Sequence, residues 1–321
     1  AIDLKKQAQL EGTMDTYVDL REIPSIIGGD SSTRHGIVLA KSIPAKAFNI
    51  QTGEPIAHAL EKCRNLTIVA PDHNMYREKS RQFINYLRTL TPEIEQVSID
   101  ECYMDFTSIA GRYESPVSAA NLIKNTIRDT MGFTVNVGIS DKKVLAKMAS
   151  DFKKPDLVHT LFTNEIKEKM WPLPVSSLYM CGKSSVEELR KLEILTIGDL
   201  ARANPDIICL HLKSHGKLLW EYANGLDDSR IEPQPADAKG IGNSTTLSQD
   251  ATDIEKIREV LLTLSDSVAE RLRKAESLAY MVSVEIKYNT FKKSSHQTTL
   301  TVPTNASNTI YTTACQLFDE L

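Results

Sequence analysis

The chain has 321 residues, more than one hydrophobic core usually serves, so we expect two or more domains. A net charge of −4 argues against a protein that binds nucleic acid over its whole surface, so any such contact must come from local lysine clusters and backbone amides. No apolar run is long enough to cross a bilayer, and the five scattered cysteines contain no CxxC pair, which argues against a zinc site or a disulfide framework and fits a reducing cytosol.

The chain begins with a predicted amphipathic helix over residues 1–11, which has no N-cap residue before it. Residues up to about 70 are mixed in pattern, with turn signals at 28–30 and 53–55. A last helix, predicted over 306–321, ends without a glycine or proline behind it. Because both ends cut through elements, we expect the chain to be a fragment.

The middle of the chain follows the order of a split βαβ sandwich. A helix comes first, followed by two short strands, a helix, a strand and a second helix. One strand is missing from the start of this order, and we expect it upstream of Ala1. The predicted ranges are 76–90, 94–99, 102–107, 117–130, 133–139 and 143–152.

The remaining residues predict a helical region, a linker and a second sandwich. Residues 163–230 are helical in pattern, and the prolines and polar residues of 231–239 are typical of an interdomain linker. The final region has the order strand, helix, strand, strand, helix and lacks only a closing strand. Its elements are predicted over 243–248, 253–276, 278–288, 295–302 and 306–321.

Two neighbouring acids, Asp100 and Glu101, lie between the two short strands of the middle region. Successive side chains on a strand point to opposite faces, so the pair can act together only at a turn, which the flanking strands supply. A hairpin tip with two carboxylates suits Mg²⁺, which prefers oxygen ligands and also takes substrate phosphates. The alternative is an ordinary solvated turn, where Asp and Glu are common.

Four segments resemble, in the same order, motifs of the Y-family translesion DNA polymerases. Ser98–Asp105 is similar to their palm motif, Asp72–Ser80 to the entry of their palm helix, and Gly138–Pro155 to their lysine-rich palm helix. Ile241–Thr246 is similar to the entry of their little finger. The resemblance spans nearly the whole chain, and the four motifs together are highly specific.

This resemblance implies an α+β fold with the architecture of a right-hand polymerase. It divides the chain into small fingers, a ferredoxin-like palm, a helical thumb with a helix-hairpin-helix turn, a linker, and a ferredoxin-like little finger that is incomplete at its C-terminal end. The corresponding residues are 1–70, 71–162, 163–230, 231–239 and 240–321.

The resemblance also implies a reaction, the template-directed transfer of nucleotides from dNTP to a primer end across damaged bases, in DNA repair and damage tolerance. Asp100 and Glu101 would hold two Mg²⁺ ions roughly 4 Å apart. The family's first strand carries a further metal-binding aspartate and an aromatic gate against ribonucleotides, and neither can be placed in this sequence. We therefore expect the chain as given to be catalytically crippled.

The implied partners are primer-template DNA and dNTP, and a sliding clamp through a C-terminal segment that this chain does not contain. No membrane association is expected, and the implied location is the bacterial cytosol, at the nucleoid. Two alternatives stay open. One is a DNA-binding protein that keeps the fold and has lost the chemistry, which Ile43, Lys46 and the absence of the first metal-binding aspartate favour. The other is an unrelated Mg²⁺-dependent phosphohydrolase, which leaves the thumb and little-finger patterns unexplained.

Three lysines share one stripe of the helix that the motif Gly138–Pro155 contains. Lys143 and Lys147 are four residues apart, and Lys154 lies seven further on, at the tip that Pro155 ends. The resemblance assigns the incoming triphosphate to Lys154 and makes Lys143 and Lys147 candidates for DNA contacts. A solvated charged face is the alternative.

In the fingers, the resemblance makes Ser42 and Lys46 candidates for nucleotide binding. The sequence departs from the family there, because Ile43 and Lys46 occupy positions where a tyrosine and an arginine are usual. Lysine keeps the charge of arginine and loses its bidentate geometry, so we expect a weaker grip on the nucleotide.

Two further segments are candidates for DNA contacts. Gly182 and Lys183 belong to a predicted helix-hairpin-helix turn, whose backbone amides can meet a phosphate, although only one of its two usual glycines is present. A P-loop is rejected because Ser177 occupies the position of its first glycine. The residues of the second segment, at the little-finger entry, are Gly242, Asn243 and Ser244.

Overall fold

The computed structural model describes residues 2–14, 17–29, 36–234 and 238–321. Backbone proximity divides the chain into two units: the first joins residues 1–71 to 236–321, and the second spans 72–235. Among the described helices, none is both long and apolar enough to pass through a lipid bilayer. The boundaries predicted between fingers, palm, thumb, linker and little finger stay predictions.

The first 71 residues contain a small mixed sheet and short helices. Strand β1 is antiparallel to β2 and parallel to β3, which gives the order β2-β1-β3. The elements are α1 (Ile2–Glu11), β1 (Ser25–Gly28), β2 (Val38–Lys41), α2 (Ile43–Ala47), α3 (Ile56–Lys62) and β3 (Thr67–Val69). Their core consists of buried apolar side chains, among them Ile26, Val38, Ala45, Ile50 and Ile56.

The second unit begins with helices packed on short strands. Its first elements are α4 (His73–Leu90), β4 (Ile94–Gln96), β5 (Cys102–Met104), α5 (Pro116–Met131), β6 (Val137–Ile139), α6 (Lys143–Ser150) and β7 (Val158–Thr160). Strands β4 and β5 are antiparallel, and β6 and β7 are parallel. Apolar side chains spaced along α4 and α5, including Phe83, Leu87 and Ile127, pack with Ile94 of β4 into one core.

This region differs from the prediction in four details. The strands predicted over 94–99 and 102–107 are shorter, because residues 97–101 form the turn and the Asp105 carboxylate accepts the Thr107 N–H at 2.8 Å, which starts a 3₁₀ helix. The strand predicted over 133–139 is also shorter and is observed as Val137–Ile139. Strand β7 is absent from the prediction, since three residues are too few to show alternation. Among the described residues, β5 and β6 belong to two separate two-stranded sheets, whereas a split βαβ sandwich has one.

Helix α6 crosses β6 at very short range. A Cβ atom on Gly138 would lie 1.9 Å from the carbonyl oxygen of Ala146 and 2.6 Å from the backbone nitrogen of Ser150. Glycine is therefore required at this crossing, since any side chain would push the helix away. The crossing determines where the lysines of α6 lie relative to the strand.

Helices are the main elements of residues 163–223, as their pattern predicts, whereas residues 224–230 are not helical. The helices are α7 (Ile166–Lys169), α8 (Lys183–Lys191), α9 (Ile197–Arg202) and α10 (Pro205–Ala223). The apolar face of α6, with Val144, Leu145 and Met148, shares a core with Leu189 and Leu200 of this region. One face of α6 is thus held by the helical region, and its lysines project from the other.

Residues 238–321 contain two helices and an antiparallel pair of strands. These are α11 (Ile254–Lys274), β8 (Ala279–Lys287), β9 (Lys293–Thr304) and α12 (Ser307–Asp319). Val282 and Val284 of β8 pack against Ala314 and Leu317 of α12. The strand predicted over 243–248 is wrong, because these residues are irregular and nearly all exposed. Their serines, threonines and asparagine supply no apolar face to bury on a sheet.

Candidate active site

The turn between β4 and β5 is organised by the hydroxyl of Ser98. Its oxygen accepts hydrogen bonds from the backbone N–H groups of Asp100 at 3.3 Å and Glu101 at 3.1 Å, and donates one to the Asp100 carboxylate at 2.9 Å. The Glu101 carbonyl accepts from the backbone N–H groups of Val97 and Ser98. Asp100 and Glu101 therefore lie together at the tip of a closed hairpin.

A cleft of about 1560 Å³ opens beside this tip. Asp100 and Glu101 both line it, with lysines of α6 and aromatic side chains of α4 and β5. Asp100 is exposed, and the Glu101 side chain is 46 % exposed, so both carboxylates can be reached from solvent. The cleft exceeds the usual volume of a small-molecule pocket, which suits a larger substrate. Other ring-bearing or charged residues of its lining include His73, Tyr76, Lys79, Tyr103, Phe106 and Tyr179.

Lys147 is the counter-ion of Glu101. Its ammonium donates a hydrogen bond to Glu101 Oε1 and lies 3.4 Å from the Asp151 carboxylate. Burial acts to lower the pKa of Lys147, but the hydrogen bonds and charges of Glu101 and Asp151 outweigh it and raise the pKa above its ordinary value. A cation that binds Glu101 must therefore compete with this ammonium. The DNA contact predicted for Lys147 stays a prediction.

Lys154 lies at the other end of the same row of charges. It comes four residues after the end of α6 at Ser150, so the prediction that it shares the helical stripe of Lys143 and Lys147 is wrong. Its ammonium is 2.7 Å from the Asp151 carboxylate, and its side chain is 60 % exposed. Lys154 lines the cleft, so the structure brings it to the same cavity as Asp100 and Glu101. The adjacent Lys153 is also exposed but does not line the cleft.

Lys143 is engaged within the protein. Its ammonium contacts the two carboxylate oxygens of Glu95 at 2.7 and 2.8 Å, donates to the Arg230 carbonyl at 3.1 Å and lies 4.9 Å from the centre of the Tyr103 ring. Glu95 also accepts the backbone N–H of Glu232 at 2.8 Å. This network ties the start of the predicted linker to the acidic hairpin. A DNA phosphate would have to displace these partners, and the DNA contact of Lys143 stays a prediction.

Asp227 joins the end of the helical region to α6. Its carboxylate accepts the N–H of Val144 at 2.8 Å and that of Ser229 at 3.0 Å. Burial acts to raise the pKa of Asp227, but the hydrogen bonds from Ser229 and Val144 and the charge of Lys143 lower it below its ordinary value of 3.8. A carboxylate at this position also stabilises the N-terminus of the helix.

Glu95 and Asp227 are the residues of this site that sequence reasoning missed. Glu95 lies 48 residues from Lys143, and Asp227 lies 83 residues from Val144. No local pattern links such distant positions. An acid in the middle of a short strand, beside the acidic motif, is the one signal that marks Glu95 in the sequence.

Asp100 and Glu101 have the chemistry of a divalent-cation site. Mg²⁺ is commonly bound by one or two carboxylates, with water and substrate phosphates in its other positions. Both carboxylates are hard oxygen donors reachable from the cleft, so they fit Mg²⁺. Over the residues that the structure describes, no group of three or more His, Cys, Asp or Glu side chains is placed to hold a metal. The pair therefore supplies part of a ligand set.

Gly182 and Lys183 lie at the start of α8, where both are exposed. Two residues earlier, Met180 has φ +68, in the left-handed region that favours glycine. The turn thus keeps a glycine-like backbone even though the motif has one glycine fewer than usual. Its DNA contact stays a prediction.

Ser42 and Lys46 belong to the first unit. Ser42 is the N-cap of α2, because its hydroxyl accepts the N–H of Ala45 at 3.1 Å and donates to the carbonyl of Ile23 at 2.8 Å. Lys46 is exposed in the last turn of α2. These capping hydrogen bonds account for a serine at position 42 without any contact to a nucleotide. The nucleotide contacts of Ser42 and Lys46 stay predictions.

The little-finger entry is fastened to α11. The carbonyl of Gly242 accepts from Arg271 at 2.7 Å, and the Asn243 amide donates to the Ser267 hydroxyl at 3.0 Å. Ser244 donates its backbone N–H to the Asn243 side chain at 2.9 Å. These bonds order the segment, and its DNA contacts stay predictions.

The sequence has close similarity to known proteins along nearly its whole length. The impB/mucB/samB family matches residues 7–151, and the C-terminal domain of that family matches residues 238–321. The DNA polymerase IV of Clostridium acetobutylicum is 47% identical over 304 residues, which cover 95% of this chain and 76% of that protein. The DNA polymerase IV of Acetivibrio thermocellus is 35% identical over 304 residues, which cover 94% of this chain and 76% of that protein.

The fold also has a close counterpart among solved structures. A Y-family DNA polymerase chimera superposes with a TM-score of 0.83 at 21% identity, covering 98% of this chain and 90% of the chimera. At that identity the likeness concerns the fold, which is the right-hand fold that the sequence motifs predict. The chain therefore belongs to the impB/mucB/samB family and has the fold of the Y-family DNA polymerases.

Proposed function

We propose that the chain performs template-directed DNA synthesis across damaged bases, by transfer of nucleotides from dNTP to a primer 3′-hydroxyl. The observation that carries this proposal is the convergence of Asp100, Glu101, Lys147 and Lys154 on one large cleft. Phosphoryl transfer depends mostly on positioning and charge neutralisation, which carboxylate-held cations and lysines supply. The relatives named DNA polymerase IV support the same reaction.

Each of these residues has a defined part in the proposed site. Two Mg²⁺ ions, when bound by Asp100 and Glu101, would lower the pKa of the primer hydroxyl and neutralise the triphosphate. Ser98 orients the Asp100 carboxylate through its hydroxyl. Lys147 balances the charge of Glu101 in the absence of a cation. Lys154, at the exposed end of the row, would contact the triphosphate.

The proposed reaction requires primer-template DNA and dNTP as substrates. The proposed place of action is the bacterial cytosol, at the nucleoid. The sliding clamp remains a partner that the sequence resemblance alone implies. The domains proposed for the chain are fingers at 1–70, a palm at 71–162, a thumb at 163–230, a linker at 231–239 and a little finger at 240–321.

Primer extension tests the proposed function. The protein at its full natural length is assayed on a primer-template with one abasic site, in Mg²⁺ and in EDTA. We expect insertion opposite and beyond the abasic site in Mg²⁺ only. Tight DNA binding without extension would instead support the non-catalytic DNA-binding alternative, which no comparison favours. Hydrolysis of dNTP without a template would support the phosphohydrolase.

A further inference from the structure

Three arginines of α4 form an exposed stripe beside the acidic hairpin. Arg77, Arg81 and Arg88 are four and seven residues apart, which places them on one face of the helix. At 1.5 Å rise per residue, the stripe is about 16 Å long. A shallow groove of about 340 Å³ follows it. We call this the arginine groove; its other lining residues are Ser80, Ile84, Asn85, Gln96 and Ile99.

The arginine groove carries positive charge that no acid of its lining balances. None of the described residues that line it is acidic. In the part of the chain that the structure describes, Arg81 and Arg88 have no carboxylate partner. Other arginines of this net-negative chain do have one, for instance Arg128 with Asp156. A row of unbalanced guanidinium groups predicts an anionic ligand.

The arginine groove adjoins the cleft of the candidate active site. Ser80 and Ile99 line both, and Ile99 directly precedes Asp100. The Gln96 amide donates to the Ser80 hydroxyl at 3.3 Å and to the Ser98 carbonyl at 3.0 Å, so α4 and the hairpin are joined at this point. A nucleic-acid strand whose end lies at Asp100 and Glu101 can therefore continue past Ile99 and along α4.

We propose that the arginine groove binds the sugar-phosphate backbone of a nucleic-acid strand that leads away from the acidic hairpin. Phosphate contacts in protein–DNA complexes come chiefly from Arg and Lys, with Ser, Asn and Gln, and the groove presents this set of donors. A stripe of about 16 Å matches about five phosphates of one strand, at about 3.4 Å of duplex axis for each. The inference rests on the proposed function, because that function brings nucleic acid to Asp100.

A salt series of DNA affinities tests this inference. The full chain, unaltered, is titrated with a fluorescent primer-template and compared with three double variants. R81A/R88A removes two groove charges, R81K/R88K keeps them, and R64A/R112A removes two exposed charges from outside both the groove and the cleft. Circular dichroism checks that each variant is folded.

We expect R81A/R88A to weaken DNA binding about tenfold near 0.1 M salt and to reduce the slope of log K against log salt by about 1.5. R81K/R88K and R64A/R112A should stay within about threefold of the unaltered chain, since each keeps the groove charge. If the unaltered chain binds DNA and R81A/R88A has the same slope of log K against log salt, the role proposed for the arginine groove is wrong and the proposed function stays intact. An equal loss in R64A/R112A, or no recovery in R81K/R88K, would also overturn it. Absence of DNA binding by the unaltered chain would contradict the proposed function as well.

Discussion

Lys147 donates a hydrogen bond to the Glu101 carboxylate across 46 residues of sequence, and this contact joins α6 to the tip of the acidic hairpin. The same lysine lies beside Asp151, which in turn contacts Lys154. Acids and lysines thus alternate in one row, and Glu101, Lys147 and Lys154 of this row line the cleft. A divalent cation could take the place of Lys147 beside the Glu101 carboxylate. A triphosphate could take the place of Asp151 beside Lys147 and Lys154.

The first prediction concerns competition between Lys147 and a metal ion. In Lys147→Met the ammonium no longer opposes a cation at Glu101, so Mn²⁺ should bind about twofold to fivefold more tightly, the range that a solvent-screened ion pair allows. Electron paramagnetic resonance of free Mn²⁺ measures this affinity directly. Lys142→Met is the matched control, because Lys142 pairs with the fully exposed Asp228 at 3.4 Å. If Lys147→Met binds Mn²⁺ no more tightly than the unaltered protein does, the Lys147 ammonium and the metal ion do not compete for the Glu101 carboxylate.

The second prediction concerns the nucleotide contact of Lys154. Lys154→Ala, in the protein at its full natural length, should raise the KM for dNTP about tenfold, the loss of one charge-assisted contact. The dissociation constant for primer-template DNA should stay nearly unchanged. Steady-state kinetics and DNA titration give the two quantities, with Lys153→Ala as the neighbouring control outside the cleft. A loss confined to DNA affinity would assign Lys154 to the DNA and not to the triphosphate.

The third prediction concerns the crossing of β6 and α6. Gly138→Ala places a methyl group against the Ala146 carbonyl, so we expect a loss of about 2 to 3 kcal/mol in the free energy of unfolding. Denaturant unfolding measures this loss. In Gly182→Ala the new methyl group meets no atom within 4 Å and the φ of −75 is ordinary, so stability should change little. Similar stabilities of the two variants would contradict the close crossing.

The fourth prediction concerns the pH dependence that Asp227 contributes. Its pKa is lower in the folded chain than the ordinary value of 3.8, so the ionised form stabilises the fold above that pH. Asp227→Asn should cost about 1 kcal/mol near neutral pH, since the group is partly screened by solvent. The difference should shrink as pH falls below about 3.8, because the unfolded chain then binds a proton at this carboxyl, and it should vanish once the pH falls below the lower pKa of the folded carboxyl. Thermal unfolding over a pH series tests this. Asp228→Asn, at a fully exposed position, should show no such trend.

The long helices and the tip of the acidic hairpin are the elements that the sequence predicts well. The pattern of α4 predicts a helix over 76–90, and its N-cap Asp72 moves the observed start to His73. The helix predicted over 253–276 is observed at Ile254–Lys274, with Asp253 as its N-cap. The hairpin tip is predictable because Asp100 and Glu101 interrupt two apolar runs, and Ser98 closes the turn locally.

What the sequence does not predict depends on distant contacts or on very short elements. Strand β7 has three residues and gains its identity only by pairing with β6. Lys143 and Lys147 share one stripe of α6, but Lys143 is engaged in an ion pair with Glu95, which is distant in sequence. No local pattern reveals that the two lysines have different partners. Residues 243–248 have the β-branched threonines of a strand, yet they lack the apolar alternation that would bury one.

The most direct test of the site is the single-turnover rate of nucleotide incorporation by the protein at its full natural length. Asp100→Asn and Glu101→Gln keep the shape of each side chain and remove its charge, so each should slow incorporation about 100-fold or more in saturating Mg²⁺. Asp105→Asn is the matched control, because the Asp105 carboxylate accepts the Thr107 N–H and starts a 3₁₀ helix. Its rate should stay within about threefold of the unaltered protein. If Asp100→Asn and Glu101→Gln incorporate nucleotides as fast as Asp105→Asn, the two acids at the hairpin tip do not hold the catalytic cations.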